Sequence, residues 1–323
     1  METSKVIISK DISKAAEVLN QNGLVAIPTE TVYGVAGNIF SEVAIRKIFE
    51  LKQRPLFNPL IVHIHSLDQL PSFVSEIPQQ AQDLVEYFWP GPLTLVLPKK
   101  PGVPDLVTAG KNTVAVRVPN HPTTLDLLRK LDFPIAAPSA NPFGRISPTK
   151  AEHVAEYFNG RLKMVLDGGE CQRGIESTII GFENDRPIVY RLGSISVEEI
   201  EKVVGPLNIK NKKESAPDAP GMLSRHYAPI TKTVLVDDID AALQKYSNLK
   251  IGLLTFDKDI DHDSVLHQII LSLDSDMDVA VVKLYSAMHQ LDSLDLEIII
   301  AEKFPDHGLG RSINDRLSRA AKS

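Results

Sequence analysis

Through the first 200 residues, short apolar runs recur between longer stretches of helical spacing. "LVAIPTE", "PLIVHI", "LTLVLP", "TVAVRVP", "PIAAPSA", "MVLDGG", "STIIGF" and "PIVYRLG" read as strands, being brief, rich in β-branched residues and bounded by Pro, Gly or Ser. Between them, apolar residues three and four apart predict helices over 11–22, 41–51, 122–131, 149–158 and 196–204, with Ser41 and Thr149 as N-caps. Alternation of the two patterns argues for an α/β fold, and strands that follow one another without a helix argue for a mixed sheet. From Gly205 to Pro229 the periodicity stops, and Pro, Lys, Asn and Ser give the composition of a linker. Its last part, "PGMLSRHYAP", sets Arg225, His226 and Tyr227 in a row, which a plain spacer does not need. The pattern then restarts as "KTVLVDD", a helix over 239–246, "KIGLLTF", "LHQIILSL", a helix over 276–291, "LEIIIAEKF" and a final helix "SINDRLSRAAK". This predicts three parts: an α/β domain over 1–204, a linker over 205–230, and a small β/α domain over 231–323, large enough to fold alone.

Composition narrows the class. At 43% apolar and 24% charged the chain has the make-up of a soluble globular protein. Apolar runs such as "LEIIIA" fall well short of the roughly 20 residues that cross a bilayer, and the N-terminus has no basic region leading into an apolar one. Cys171 is the single cysteine, which excludes an intrachain disulfide and a zinc site of the cysteine-pair type. A cytoplasmic protein that does not engage a membrane is expected. Residues 1–230 hold 25 Lys+Arg against 25 Asp+Glu, and residues 231–323 hold 10 against 16, so the net charge of −6 sits in the last part. A neutral first part with local basic clusters suits a small phosphate-bearing substrate better than broad binding to a nucleic-acid backbone.

The candidate chemistry collects at strand ends. "LKQRPLFNPLIVHIH" brings Lys52 and Arg54 to the mouth of a strand, and Pro55 pushes Arg54 towards an extended conformation. In an extended segment residues two apart share a side, so the pair is expected to converge on one anion. A solvated helix end is the plainer reading of that pair alone. "APSANPFGRISPT" puts Ser139, Asn141, Arg145, Ser147 and Thr149 after an apolar run, and "PTETVYG" does the same with Thr29, Glu30, Thr31 and Tyr33; α/β sheets bind ligands there. His63, Arg117 and Arg191 interrupt strands, and "DGGECQRGIEST" clusters Glu176, Ser177 and Thr178. "TAGKNT" fails as a phosphate-binding loop because Asp105 stands where its first glycine belongs, and neither GxSxG nor HExxH occurs.

Taken together, Lys52-x-Arg54, Ser139-x-Asn141, "PTETVYG", "GIEST", "SRHYAP" and a terminal "GLGRSINDRLSRAA" resemble the two-domain threonylcarbamoyl-AMP synthase family, which has an N-terminal YrdC-like domain. The resemblance spans essentially the whole chain. It implies a YrdC-like twisted mixed sheet with flanking helices, plus a small C-terminal Rossmann-like β/α domain. It also implies a nucleotidyltransferase that makes threonylcarbamoyl-AMP and pyrophosphate from L-threonine, bicarbonate and ATP. A downstream tRNA threonylcarbamoyl-transferase complex would use the product. By the same resemblance Lys52, Arg54, Asn58, Thr113, Ser139, Asn141, Ser147 and Arg191 hold ATP, with Tyr227 folding over the nucleotide. Thr31, His63, Arg117, the backbone around Ala137, and Ser177 hold threonine. No residue is singled out as catalytic and no carboxylate cluster as a metal site, so Mg2+ is expected to arrive on the phosphates of ATP. Phe143 departs from the family, in which a serine is frequent at that position. The alternative class is a module binding double-stranded RNA or tRNA, for which the family's basic concavity leaves room as a weak contact. The balanced charge and the lack of an aromatic-basic pattern speak against RNA binding as the main activity. The related carbamoyltransferases of hydrogenase maturation carry cysteine-rich zinc fingers, which one cysteine cannot supply.

Overall fold

The computed structural model describes residues 5–211, 217–223 and 226–322, so Ser224 and Arg225 of the "SRHYAP" stretch lie outside the described residues. Among these residues, eleven strands form one sheet. They are β1 (Ile7–Ser9), β2 (Val25–Ile27), β3 (Gly34–Asn38), β4 (Ile61–His63), β5 (Leu93–Pro98), β6 (Thr113–Arg117), β7 (Ile135–Ala136), β8 (Met164–Leu166), β9 (Thr178–Glu183), β10 (Arg186–Arg191) and β11 (Asn208–Ile209). Their order is β1-β8-β2-β3-β7-β4-β6-β5-β9-β10-β11. The sheet is mixed, as the strand connections require: β4–β6 and β5–β9 are parallel, whereas β2–β3, β5–β6 and β9–β10 are antiparallel. The helices Ile12–Asn20, Glu42–Lys52, Gln79–Phe88, Pro122–Arg129, Ala151–Phe158 and Val197–Val204 cover it.

Local chemistry explains most boundaries. Ser41 caps the helix Glu42–Lys52 by accepting the Ala44 N–H at 3.2 Å. Ser196 and Glu199 form a reciprocal capping box at the head of Val197–Val204. Two expectations need correction. Thr149 is not an N-cap: its helix begins at Ala151, and its hydroxyl pairs with Ser286 Oγ at 3.0 Å in the C-terminal part. Strand β3, "GVAGN", has no β-branched run to announce it. The segment expected as a linker also begins with a strand, for β11 pairs with Ile188 and Val189 of β10.

The C-terminal part builds its own sheet from β12 (Lys232–Val236), β13 (Ile251–Thr255), β14 (Val265–Ile270) and β15 (Ile298–Glu302), ordered β12-β15-β13-β14 and parallel throughout. The helices Ile239–Lys245, Met277–Asp292 and Gly310–Ala320 flank it, giving the expected Rossmann-like layering. One apolar cluster joins the two parts: Val32, Ile146, Ile175 and Tyr227 pack with Leu284, Tyr285, Met288, Ile313 and Leu317. Polar contacts fix the register of that junction. Arg145 pairs with Asp292 at 2.9 Å, Ser312 donates to the Gly193 carbonyl at 2.7 Å, and the rings of His153 and His289 stack 3.9 Å apart. At Gly174, φ is +70°, and a Cβ there would lie 2.4 Å from the Val282 carbonyl oxygen.

Candidate active site

One cleft gathers the ends of many strands of the large sheet. Thr31, Arg54, His63, Arg117, Ala137, Ser139, Ser177, Arg191 and Tyr227 line it, together with Glu176, Gly221 and His226. Sheet register places the first of these. The parallel pairing of β4 with β6 sets His63 beside Arg117, and the antiparallel pairing with β7 sets His63 beside Ile135, two residues before Ala137. Arg117 Nη1 donates to Thr31 Oγ1 at 3.0 Å, its Nε to the Gly91 carbonyl at 3.1 Å, and its Nη2 lies 2.6 Å from Glu30 Oε1. His63 Nδ1 donates to the Ile61 carbonyl at 3.2 Å, leaving Nε2 as an acceptor. Burial and the nearby Arg117 push the His63 pKa down to about 3, so the ring is neutral at pH 7.

A second group of cations lies deeper. The expected extended run through Lys52 and Arg54 is not what forms. Lys52 is the last residue of its helix, and Gln53 takes the left-handed conformation at φ 54°, which sends the two side chains to different partners. Lys52 Nζ donates to the Asn141 carbonyl at 2.6 Å and to the Ser139 carbonyl, gripping that loop from behind the cleft. Arg54 donates to the carbonyls of Asn58 at 3.1 Å and Pro59 at 2.8 Å while facing the cleft. Both are almost wholly buried. Burial and the neighbouring Arg191 bring the Arg54 pKa down to about 9, and burial and Arg54 drive that of Lys52 well below the ordinary lysine value. Arg191 spans Ser177, with Nε to its carbonyl at 3.0 Å and Nη2 to its hydroxyl at 2.9 Å.

Glu176 joins the two parts of the chain at the cleft wall. It accepts from Ser147 Oγ at 2.6 Å, from the Tyr285 hydroxyl at 3.0 Å and from Arg316 Nε at 3.1 Å. Burial alone would raise its pKa, but Arg316, Arg191 and the Ser147 hydroxyl outweigh burial and hold it below the ordinary range.

A strap over 217–223 and 226–228 closes the cleft. Ala219 and Met222 pack on Ile61, Ala115 and Tyr190 of the sheet, and Ala228 N–H donates to the Gly144 carbonyl at 2.8 Å. Gly221, at φ +86°, lets the strap press on the site; a Cβ there would fall 2.8 Å from both Arg191 Cδ and the Tyr227 hydroxyl. Phe143 meets the ring of His226 edge-on, with centroids 5.8 Å apart. The free space open to water in the cleft is about 50 Å³, room for a few waters. Of the remaining expected residues, Asn58 and Asn141 are buried beside the cleft, each with a side-chain oxygen that has no hydrogen-bond partner among the described residues. Ser147 is turned towards Glu176, and Thr113 opens β6 opposite Pro98, away from the lining.

The family model of Sua5, YciO and YrdC, described as "Telomere recombination", matches residues 17–193, and the model described as "Threonylcarbamoyl-AMP synthase, C-terminal domain" matches residues 195–322. The chain belongs to the Sua5/YciO/YrdC family. Among Sua5-type relatives, a threonylcarbamoyl-AMP synthase of Bacillus subtilis (strain 168) is 41% identical over 320 residues, covering 96% of this chain and 92% of the relative. That of Pyrococcus abyssi (strain GE5 / Orsay) is 40% identical over 321 residues, covering 95% and 93%. The crystal structure of P. abyssi Sua5 complexed with L-threonine superposes with a TM-score of 0.90 at 38% identity, over 98% of each chain. Escherichia coli YciO shares the fold of the first part, with a TM-score of 0.51 at 22% identity over 60% of this chain and 96% of its own.

Several residues of this Sua5-type site escape sequence reasoning. Glu30 and Glu176 stand in loops noticed for their polarity, but nothing in the sequence says which arginine each meets. Arg316 and Tyr285 lie on amphipathic helices more than a hundred residues from Glu176 in sequence, where the pattern reads only as surface charge and core.

Proposed function

We propose that the chain is an L-threonylcarbamoyladenylate synthase acting in the cytoplasm, a nucleotidyltransferase that couples L-threonine, bicarbonate and ATP. The amine of threonine bonds to the carbon of bicarbonate with loss of water, giving a carbamate. An oxygen of that carbamate then bonds to the α-phosphorus of ATP while the bond to the β-phosphate oxygen breaks, and pyrophosphate leaves. The product is a labile mixed anhydride, suited to handing its threonylcarbamoyl group to a tRNA-modifying transferase.

One observation carries this reading: buried positive charge around the cleft exceeds the buried negative charge that meets it. Glu30 answers Arg117 and Glu176 answers Arg316. Among the described residues, Lys52, Arg54 and Arg191 have carbonyl and hydroxyl partners but no carboxylate in ion-pair contact. Leaving a cation unneutralised away from water costs several kcal/mol, and a triphosphate removes that cost. On this reading Arg54 and Arg191 face the phosphates, with Ser139, Asn58 and Asn141 around the nucleotide. Lys52 fixes the Ser139–Asn141 loop and adds its charge, and Ser147 and Thr113 act from outside the lining. Tyr227 closes over the nucleotide and shields the anhydride from water. Arg117 and Thr31 receive the carboxylate of threonine, His63 Nε2 accepts from its amine or hydroxyl, and Ala137 and Ser177 shape the pocket wall. The two buried carboxylates at the cleft, Glu30 and Glu176, are both engaged by arginine. On this reading a magnesium ion would come with the phosphates of ATP and share their charge.

Purified protein is expected to release pyrophosphate from ATP only when both L-threonine and bicarbonate are supplied. Release indifferent to threonine, or tight binding of double-stranded RNA with no turnover, would replace this reading with another.

A further inference from the structure

Two side chains of the C-terminal part reach the cleft wall, and the scheme above gives them no task. Arg316, on the helix Gly310–Ala320, has no exposed surface; its Nε donates to Glu176 Oε2 at 3.1 Å and its guanidinium carbon lies 4.9 Å from the centre of the Tyr227 ring. Tyr285, on the helix Met277–Asp292, is equally buried. Its hydroxyl lies 3.0 and 3.1 Å from the two oxygens of Glu176, and its ring stacks on Tyr227 with centroids 5.9 Å apart. Two side chains from different helices thus meet the same two targets, a carboxylate and an aromatic ring, and both targets line the cleft.

Each target governs part of the site. Glu176 accepts the Ser147 hydroxyl and immediately precedes Ser177, whose carbonyl and hydroxyl orient Arg191. Tyr227 holds φ at 62°, a conformation that a residue with a side chain keeps only when its surroundings enforce it. A contact that merely clamped the two parts together could sit anywhere along their junction. Arg145 and Asp292 make such a clamp at its more exposed side, with side-chain exposures of 22% and 10% against 0% and 6% for Arg316 and Glu176.

We infer that Arg316 and Tyr285 are positioning residues for the synthase reaction, holding Glu176 and the Tyr227 ring where Ser177, Arg191 and the strap can close on the nucleotide. The C-terminal part is then a working half of the active site's frame. The inference rests on the reading of the cleft as a nucleotide site.

The test uses the full chain and Tyr285→Phe, which removes one hydroxyl and keeps the ring. It should lower kcat/KM for ATP roughly tenfold, as small misplacements of binding groups do. The melting temperature should stay within about 2 °C of wild type, as for a conservative change that opens no cavity. In a Glu176→Gln background the same substitution should change kcat/KM by less than about twofold, because the route through the carboxylate is already altered. Arg316→Lys, which keeps the charge and loses the planar fork, should retain more activity than Arg316→Met. Equal kcat/KM for Tyr285→Phe and wild type, or full additivity with Glu176→Gln, would overturn the inference. If the wild type releases no threonine-dependent pyrophosphate, the synthase reading itself fails. Calorimetric affinity for a nonhydrolysable ATP analogue then decides the positioning role, with equal affinities counting against it and weaker binding by Tyr285→Phe supporting it.

Discussion

Arg54 and Arg316 are both buried arginines a short way from Tyr227, and their partners differ in kind. Arg54 donates to two main-chain carbonyls, and burial with a neighbouring arginine lowers its pKa to about 9. Arg316 meets Glu176 and Asp315, and although burial opposes its charge, Tyr227, Glu176 and Tyr285 together raise its pKa well above the ordinary value. Among the described residues, one cation has been left without a carboxylate, at a cost to the fold, and the other has two carboxylate partners within the protein. On the proposed reading, unanswered charge marks the place where an anion is to bind, and answered charge marks the frame that holds that place in shape.

The comparison can be broken most forcefully at the frame. Arg316→Ala would leave Glu176 buried with its strongest partner gone, a change worth about 3–5 kcal/mol, so thermal denaturation of the full chain should show the melting temperature falling by roughly 10 °C. A melting point equal to wild type would mean that Arg316 does not answer Glu176. Gly174→Ala tests the same junction through the backbone. Its positive φ and the Val282 carbonyl 2.4 Å from the added Cβ predict a loss of about 1–3 kcal/mol, read in a urea melt. Arg54→Met should act in the opposite sense. The fold should lose no more than about 1 kcal/mol, because the exchange removes a desolvated charge along with two hydrogen bonds, while KM for ATP rises steeply. Acid acts on a separate pair of side chains, and only below neutral pH. His153 and His289 stack at the junction; burial, helped by Lys150 beside His153 and by His153 beside His289, lowers their pKa values to about 4 and about 3. Unfolded, both take up protons near pH 6.5; folded, they resist until far lower. Stability should therefore decline as pH falls from about 6.5 towards 3, through the unfolded chain's greater proton uptake. Replacing both histidines by Gln should flatten that slope without altering the neutral-pH melt by more than about 1 kcal/mol.

Much of this architecture is legible along the chain because local pattern and final structure agree. The runs "LTLVLP" and "STIIGF" are strands, Ser41 caps a helix, and the C-terminal alternation of strand and helix is a parallel sheet. Agreement fails where a long-range contact overrides the local signal. Thr149 looks like a cap but spends its hydroxyl on Ser286, and β3 is held by its neighbours β2 and β7 despite two glycines. The site shows the same division. Arg54, His63, Arg117, Ser139, Ser177 and Arg191 announce themselves as polar residues at strand ends, where a sheet offers ligands its mouth. Lys52 is legible as a cation at a strand mouth but not in its contacts, because the left-handed Gln53 that turns it onto the Ser139 and Asn141 carbonyls has no signature of its own. Arg316 and Tyr285 were not legible at all, since their relevance depends on how two separately built sheets are joined.

The claim that unanswered buried cations define a triphosphate site is tested most directly by titrating a nonhydrolysable ATP analogue into wild type and Arg54→Met by calorimetry, with both melting curves recorded alongside. The account predicts affinity lower by at least about thirtyfold, the worth of a charge-assisted pair at roughly 2 kcal/mol, with melting temperatures that nearly coincide. Equal affinities for the two proteins, or a loss of binding matched by an equally large loss of stability, would contradict it.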